Sequence, residues 1–293
     1  MSESMEILRR KISSAEDLGS VVRTMKALAA ASIVQYERAV HSLADYYHAI
    51  ELGLYVCVRT TSGTRMVKEN PRRAVQPTIR AIVFGSDQGL VGQFNDQLAA
   101  FVASQLGNAP GQKTVLPIGE RIRGRLQDVG FSVGTTYLVP NSVIGITPLV
   151  GQILVDQEKE NQGGETYVFH NRPAGTQGYE PTKQRLLPLD ATWQAAFGEM
   201  QWPTKLLPEV LGSAELTLAA LIHEYLFVSL FKACAESLAS ENTCRLAAMQ
   251  RAQRNIDELL DQLRMIFNQT RQTSIDEELF DVISGFEALG QGR

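Results

Sequence analysis

The chain has 293 residues, of which 44% are hydrophobic and 20% are charged, with a formal net charge of −4. This composition is that of a folded globular protein, and the absence of a basic surplus argues against nucleic-acid binding. We predict no secretory signal, because the N-terminus lacks a basic segment followed by an apolar one. We predict no membrane-spanning segment, because His223 and Glu224 interrupt the most apolar window, residues 216–230. Three cysteines and four scattered histidines lack metal-ligand spacing, so we expect neither a metal nor a cofactor.

Both ends of the chain contain long stretches with few residues that break helices. No proline precedes Pro71 or follows Pro208, and residues 213–284 contain neither glycine nor proline. We therefore predict helices over residues 5–52 and 212–288, which would be about 70 Å and about 115 Å long. Helices of this length must bury a stripe of side chains along a partner.

The predicted stripe follows an alternating spacing of three and four residues. In the N-terminal helix its positions are Leu8, Lys11, Ala15, Leu18, Val22, Met25, Ala29, Ser32, Tyr36, Ala39, Leu43, Tyr46 and Ile50. In the C-terminal helix they are Met249, Ala252, Ile256, Leu259, Leu263 and Ile266. This spacing is typical of a left-handed coiled coil. An antiparallel coiled coil within one chain satisfies both helices, and parallel dimerisation through either stripe is the alternative.

The middle of the chain alternates between strand-like and helix-like segments. Strands are predicted at residues 79–84, 114–118, 131–133 and 166–170, and helices at residues 95–106, 120–129 and 148–158. This alternation predicts a Rossmann-like α/β domain with a mostly parallel sheet. We place the N-terminal coiled-coil helix at residues 1–60, the inserted α/β domain at 75–205 and the C-terminal coiled-coil helix at 208–293.

The loop after the first strand contains Gly85, Asp87, Gly89 and Gly92. Such a loop can bind phosphate, but here it has neither the lysine of a phosphate loop nor the glycine spacing of a dinucleotide site. We interpret it as a tight strand-to-helix turn whose glycines adopt positive φ. No set of titratable groups converges on a catalytic site. A nucleotide-binding enzyme with helical arms and a coiled-coil adaptor remain the alternative classes.

Four blocks of the sequence resemble one family. Residues 85–95 resemble the (S/T)DRGLCGG(F/L)N signature of F-type ATP synthase γ subunits, and residues 239–249 resemble the ASExxxRMxAM block of that family. Residues 10–30 resemble its TKAM block, and residues 268–289 resemble its NxxRQAxIT block. The blocks occur in the family order. Four positions depart from the pattern: Gln88 replaces Arg, Val91 replaces Cys, Gln93 replaces Gly and Asp276 replaces Thr. They indicate a divergent branch, such as the accessory F-type ATPases of some bacteria.

The resemblance implies a non-catalytic rotor subunit, the central shaft of a rotary ATP synthase or ATPase. It implies partners: a hexamer of α and β subunits around the coiled coil, and an ε subunit and the membrane c-ring near the α/β domain. The complex would lie on the cytoplasmic face of the bacterial inner membrane, without insertion of this chain into the bilayer.

The resemblance also assigns contact residues. Met25, Lys26, Arg271 and Gln272 would face β subunits, and the loop with Gly85, Asp87, Gly89 and Gly92 would lie near the foot of the shaft. Two further residues, Glu241 and Arg245, have the i,i+4 spacing of a helix ion pair. Arg245 is therefore either a partner contact or half of a weak surface pair.

Overall fold

The computed structural model describes residues 2–61, 78–107, 109–159, 164–175, 178–189, 202, 205, 208–210 and 212–290. Two long helices enclose an α/β region in the sequence. The elements in chain order are α1 (Ser2–Thr61), β1 (Thr78–Phe84), α2 (Phe94–Leu106), β2 (Gln112–Ile118), α3 (Glu120–Asp128), a short 3-10 turn (Val143–Gly145), α4 (Ile146–Lys159), β3 (Glu165–Ala174), β4 (Gly178–Leu187) and α5 (Ala214–Gly290). The predicted mixture of long helices with a mostly parallel sheet is confirmed.

The sheet has four strands in the order β2-β1-β3-β4. β1 pairs in parallel with β2 and with β3, whereas β4 pairs antiparallel with β3. β4 was not predicted, because Pro181 and several polar residues weaken its pattern; an edge strand tolerates both. The predicted strand at residues 131–133 is reduced to one bridge between Val133 and Val115.

β1 is buried on both faces, which is why it reads as a continuous apolar run. Ala81 and Val83 face α2 and α3, where they pack with Leu98. Ile82 and Phe84 face the opposite side, in a core that α1, α4 and α5 complete. The side chains of this second core from outside the sheet include Tyr36, Ile146, Val150, Ile153, Leu230 and Leu238. The central strand therefore links two apolar layers.

The structure divides into two compact units, Met1–Leu28 with Leu246–Arg293, and Ala29–Arg245. In the first unit α1 and α5 run in opposite directions. Glu16 accepts a hydrogen bond from Arg264 at 2.7 Å, and Lys26 donates one to Gln253 Oε1 at 2.9 Å. A Cβ added to Gly19 would lie 3.5 Å from Ile256, so the helices approach closely there.

The buried stripe of each helix follows the prediction at most positions and is shifted by one residue at a few. The predicted positions that are exposed are Lys11, Leu18, Tyr46, Leu259 and Ile266. In the first unit Ala15 and Val22 face inward as predicted, but Gly19 is buried while Leu18 is 59% exposed. Leu260 and Phe267 likewise take the places predicted for Leu259 and Ile266. The second unit repeats the shift: Tyr46 is exposed and Tyr47 is half-buried. A stripe with 4-3 spacing and a stripe with 3-4 spacing share every second residue and differ by one residue at the positions between. The large apolar side chains at 18 and 46 favoured the 3-4 spacing, which is wrong at those two positions.

One described helix, Ala214–Ser284, contains a stretch that is long and apolar enough to cross a membrane. The sequence analysis predicted no such segment. Half of the stretch is buried inside the protein, and a helix at the core of a globular protein has the same composition. The structure thus explains its apolar character by packing against the α/β region, where Leu230 and Phe231 join the core.

Candidate functional site

The loop after β1 is organised by the carboxylate of Asp87. Its Oδ1 accepts a hydrogen bond from the backbone N–H of Glu120 at 2.9 Å, at the first residue of α3. Its Oδ2 accepts one from the backbone N–H of Val139 at 2.8 Å. Asp87 therefore caps α3 and ties two loops together, which accounts for an acidic residue at this position.

Ser86 and Asn95 close the same loop from the inside. The Ser86 N–H donates to Asn95 Oδ1 at 3.1 Å, and Asn95 Nδ2 donates to Ser86 Oγ at 2.8 Å. The Ser86 hydroxyl in turn donates to the carbonyl oxygen of Gln88 at 2.9 Å. Both residues are buried, so these bonds satisfy polar groups that water does not reach.

The glycines of the loop differ in their roles. Positive φ was predicted for the glycines of the loop, and Gly92 adopts it, with φ of 60°. Gly85 and Gly89 do not adopt positive φ. The other residue of the loop with positive φ is Leu90, at 63°. A Cβ at Gly85 would overlap the side chain of Ile122. Gly85 is therefore required for close packing of the loop on α3, and the expectation that it needs positive φ is wrong.

The carboxyl ends of β1 and β3 are covered by α5. Ser237 Oγ donates to the carbonyl oxygen of Phe84 at 2.9 Å, and Ser240 Oγ donates to that of Asn171 at 3.0 Å. Asn171 Nδ2 donates to the carbonyl oxygen of Phe94 at 3.2 Å. In open α/β sheets this edge is where nucleotides bind. Here serine hydroxyls of the C-terminal helix occupy it.

A buried pair joins β3 and α5 next to these serines. His170 Nε2 lies 2.8 Å from Glu236 Oε2, and their side chains are only 4% and 11% exposed. The sequence analysis missed His170, Glu236 and the two serines, since each contact joins residues far apart in the chain. The available signal was a polar residue at 236, 237 and 240 inside an apolar helical stretch.

Glu241 and Arg245 form the i,i+4 ion pair that was one of the two alternatives for Arg245. The pair is buried and does not lie on the surface. Arg245 Nη2 lies 2.5 Å from Glu241 Oε1, with side chains 13% and 6% exposed. Burial raises the pKa of the Glu241 carboxyl, Arg245 lowers it and Asp87 raises it. Burial also raises the pKa of the neighbouring Tyr36 to about 12, with smaller contributions from Cys234 and Glu241.

The other predicted contact residues lie in the first unit. Met25 is half-buried, and Lys26 is engaged by Gln253. Arg271 and Gln272 are exposed on α5. Arg245, in contrast, lies in the second unit, where its partners are Glu241 and Asn242. The contact roles of all five residues stay predictions.

Within the part of the chain that the structure describes, no group of three or more His, Cys, Asp or Glu side chains is arranged to hold a metal ion. Cys57, Cys234 and Cys244 form no disulfide within the described residues, and Cys57 and Cys234 are buried. Burial raises the pKa of both thiols. Such thiols are poor nucleophiles, so these two cysteines serve as small packing residues.

The fold and the loop define an α/β-domain protein built on two long terminal helices. A family model described as ATP synthase matches residues 4–289. The chain is 27% identical over 298 residues to the ATP synthase gamma chain of Syntrophus aciditrophicus, covering 99% of both proteins. It is 27% identical to that of Herminiimonas arsenicoxydans, over 99% of this chain and 100% of that protein. The chain therefore belongs to the ATP synthase gamma chain family, and the resemblance is confirmed.

Solved structures give the same fold. The rotor of the Euglena gracilis mitochondrial ATP synthase matches with a TM-score of 0.65 at 15% identity, covering 94% of this chain and 100% of that chain. A chain of the central stalk and c-ring structure of the Tetrahymena thermophila mitochondrial ATP synthase matches with a TM-score of 0.56 at 17% identity, covering 79% and 99%. At these identities the likeness concerns the fold.

Proposed function

We propose that this chain is the non-catalytic rotor shaft of a rotary ATP synthase or ATPase, in which ion flow and ATP turnover are coupled by rotation. The observation that carries the proposal is the family match over residues 4–289. The named relatives are gamma chains, and the matched structures carry the titles rotor and central stalk. The filled carboxyl edge of β1 and β3 supports the absence of a catalytic site.

The two terminal helices form an antiparallel coiled coil in this proposal. Support comes from the pairing order in the first unit, where Glu16 meets Arg264 and Lys26 meets Gln253. In the proposed domain division nearly all of α1 lies within residues 1–60 and α5 lies within residues 208–293, with an inserted Rossmann-like domain at 75–205. The parallel-dimer alternative leaves these contacts within one chain unexplained.

The mechanism is conformational. Two paired helices have an asymmetric cross-section, so each orientation of the shaft presents a different face to each surrounding subunit. A rotor can drive its partners only through differential contact with their alternative states. The partners in this proposal are α and β subunits around the coiled coil, and ε and the c-ring near the α/β domain. A second matching structure of the Euglena gracilis mitochondrial ATP synthase has a title that names OSCP, F1 and the c-ring. The assembly would lie on the cytoplasmic face of a bacterial inner membrane.

The proposed contact residues suit this arrangement. Arg271 and Gln272 are exposed and available for an acidic loop of a β subunit, for which the arginine fork offers bidentate bonds. Met25 is half-buried beside Lys26. Arg245 would act through its buried bond to Glu241, and the Asp87 loop would stand near the foot of the shaft.

The proposal is tested by Met25→Lys and Met25→Leu in the assembled complex. Lysine places a second cation beside Lys26, which should hold some rotor orientations more tightly than others. Its stem can reach water, so assembly should persist. We expect Met25→Lys to hydrolyse ATP while pumping fewer ions per ATP, and Met25→Leu to match the parent. Paired hydrolysis and ion-pumping assays on membranes measure the ratio.

The control is the purified full chain with and without reconstituted α and β subunits. The chain alone should show no ATPase activity and should change the activity of the reconstituted head. Intrinsic turnover that Asp87→Ala abolishes would support the enzyme alternative. A chain that never copurifies with α and β subunits would support the adaptor alternative.

A further inference from the structure

A cavity of about 490 Å³ lies in the second unit, between α1, α5 and the second half of β3. This volume falls within the range of about 300–1,000 Å³ that is typical of pockets for small molecules. Three carboxylates line it, those of Glu37, Glu51 and Glu236. The aliphatic side chains in its wall are those of Val40, Leu43, Ala44, Pro173, Val228 and Ala239. The cavity therefore combines an apolar surface with acidic groups, and the proposed function assigns no role to it.

Glu236 presents one of its carboxylate oxygens to this cavity. The residue as a whole is only 8% exposed. Its Oε2 lies 2.8 Å from His170 Nε2, on the side of β3. Its Oε1 has no hydrogen-bond partner among the described residues and remains accessible to solvent, which reaches Glu236 through the cavity. Buried carboxylates normally have their oxygens matched by donors, so Glu236 Oε1 is an acceptor in position for a ligand.

The histidine does not compensate the charge of this carboxylate. His170 Nδ1 is buried and has no hydrogen-bond partner in the described part of the chain. An imidazolium carries hydrogen on both ring nitrogens, so it would leave a buried N–H at Nδ1 without an acceptor. The neutral ring with hydrogen on Nε2 avoids this cost and donates to Glu236 Oε2. The pair is therefore a neutral imidazole and a carboxylate, and it retains a negative charge.

The two fixed cations in the cavity wall are engaged by other groups. Lys232 Nζ lies over the ring of Tyr47, 5.5 Å from its centroid. Arg172 is paired with Glu180 on β4. Among the described residues neither cation forms an ion pair with Glu236, and the three carboxylates of the wall against its two cations leave a formal charge of −1. A buried carboxylate without a cationic partner is costly, so this wall requires a cation from outside the chain.

We propose that this cavity binds an organic ammonium ion, whose charged group lies at Glu236 Oε1 and whose apolar group packs against the aliphatic wall. A metal ion fits less well, because calcium takes six to eight oxygen ligands. Within the described residues no group of three or more His, Cys, Asp or Glu is arranged to hold one. An ammonium group needs acceptors on one side only, and burial of its substituent removes apolar surface from water. A primary amine with a small aryl or alkyl group has the required charge and size.

The experiment is thermal unfolding of the full chain at constant pH and ionic strength. Benzylamine and n-butylamine hydrochlorides are the probes. Benzyl alcohol is the control without charge, and methylammonium chloride is the control without a large apolar group. We expect a saturable rise in Tm on the order of 3 °C for at least one probe at about ten times its Kd, and no saturable rise for either control. The absence of a saturable rise with both probes rejects the proposal, and so does an equal rise with either control.

Two pairs of variants localise the effect. Glu236→Gln should abolish the rise, because the amide keeps an acceptor for His170 but has no charge, whereas Glu258→Gln, at an exposed position on α5, should retain it. Ala44→Phe should fill part of the cavity and weaken binding by about tenfold or more. Ala49→Phe, at an exposed position of α1 outside the cavity, should bind as the parent does. If Glu236→Gln does not fold, the alanine pair decides the question, and an unchanged response in Ala44→Phe places the amine elsewhere and rejects this site.

Discussion

α5 passes through two environments without a break. Residues 228–242 are buried on almost every side, with Lys232 the exposed residue in this stretch. Residues 246–284 bury only one stripe, which includes Met249, Ile256 and Leu260. The first stretch is rich in Ala and Ser, whereas the second is rich in charged residues. The comparison shows that side-chain size and polarity, and not helix propensity, decide which part of one helix enters a core.

The second stretch also leaves large apolar side chains in contact with solvent. They are Leu259, Met265, Ile266, Ile275, Leu279, Phe280, Val282 and Ile283. Exposed apolar residues in such number mark a surface that meets a partner. Under the proposed function the surrounding subunits cover them. The two regions therefore differ in what their apolar residues stabilise: the chain itself in one case, and the complex in the other.

The comparison is tested most strongly by two phenylalanines. Phe169 is fully buried in β3, whereas Phe280 is 68% exposed on α5. We expect Phe169→Ala to lower the free energy of unfolding by about 3–5 kcal/mol, through lost burial and a cavity. Phe280→Ala should change it by less than about 0.5 kcal/mol. Urea unfolding of the full chain measures both, and equal losses would contradict the division into two regions.

Two glycines should respond with opposite signs. In Gly85→Ala the new Cβ overlaps Ile122, so we expect a loss of about 1–3 kcal/mol. In Gly19→Ala the Cβ meets Ile256 at an ordinary contact distance of 3.5 Å. Alanine in a helix interior should then gain about 0.5–1 kcal/mol. Denaturant midpoints compare the pair, and a loss at both positions would show that the helices cannot accept a methyl group at Gly19.

The register of the buried stripe is tested by adjacent valines. Val22 is half-buried, and Val21 is 55% exposed. Val22→Asp places a carboxylate against α5 and should cost about 1–2 kcal/mol. Val21→Asp should cost about 0.5 kcal/mol or less. Thermal unfolding distinguishes them, and a larger loss for Val21→Asp would mean that the stripe lies on another face.

The smallest expected effect is an alkaline one at Tyr36. Its pKa is raised to about 12 in the folded protein, mainly by burial, from 10.0. Stability from the protonated phenol is therefore complete below pH 10 and is lost as pH rises through about 12. Tyr36→Phe should remove part of this loss, since burial also raises the pKa of Tyr179 to about 12. Tyr46→Phe, at an exposed position, should leave most of it. Unfolding curves between these pH values test the assignment.

The coarse fold could be predicted because its signals are local. Absence of proline predicted α1, absence of both proline and glycine predicted α5, and apolar runs predicted β1, β2 and β3. The buried stripe was wrong at a few positions, such as Leu18, because leucine is more apolar than Gly19, while close approach to Ile256 favours the glycine. β4 was missed because an edge strand need not be apolar.

The polar contacts of the candidate site had only a weak local signal, the polar residues at 236, 237 and 240 in an apolar stretch. Ser237 and Phe84 are 153 residues apart, and His170 and Glu236 are 66 apart. A serine in a helix fits a surface, a cap or a core contact equally well, and only the fold selects among these. The Asp87 loop could be located from its family signature. Its capping of α3 could not be predicted, because it depends on how the backbone brings Asp87 to the start of that helix.

The contacts of Glu236, Ser237 and Ser240 have a mechanical consequence. These three residues occupy just over one turn of α5 and bond to His170, Phe84 and Asn171. Sliding the helix by one residue would rotate its side chains by about 100° and break all three bonds together. This turn of α5 is therefore locked against axial rotation. A twisting load applied to it should pass to β1 and β3 and not be lost as slippage.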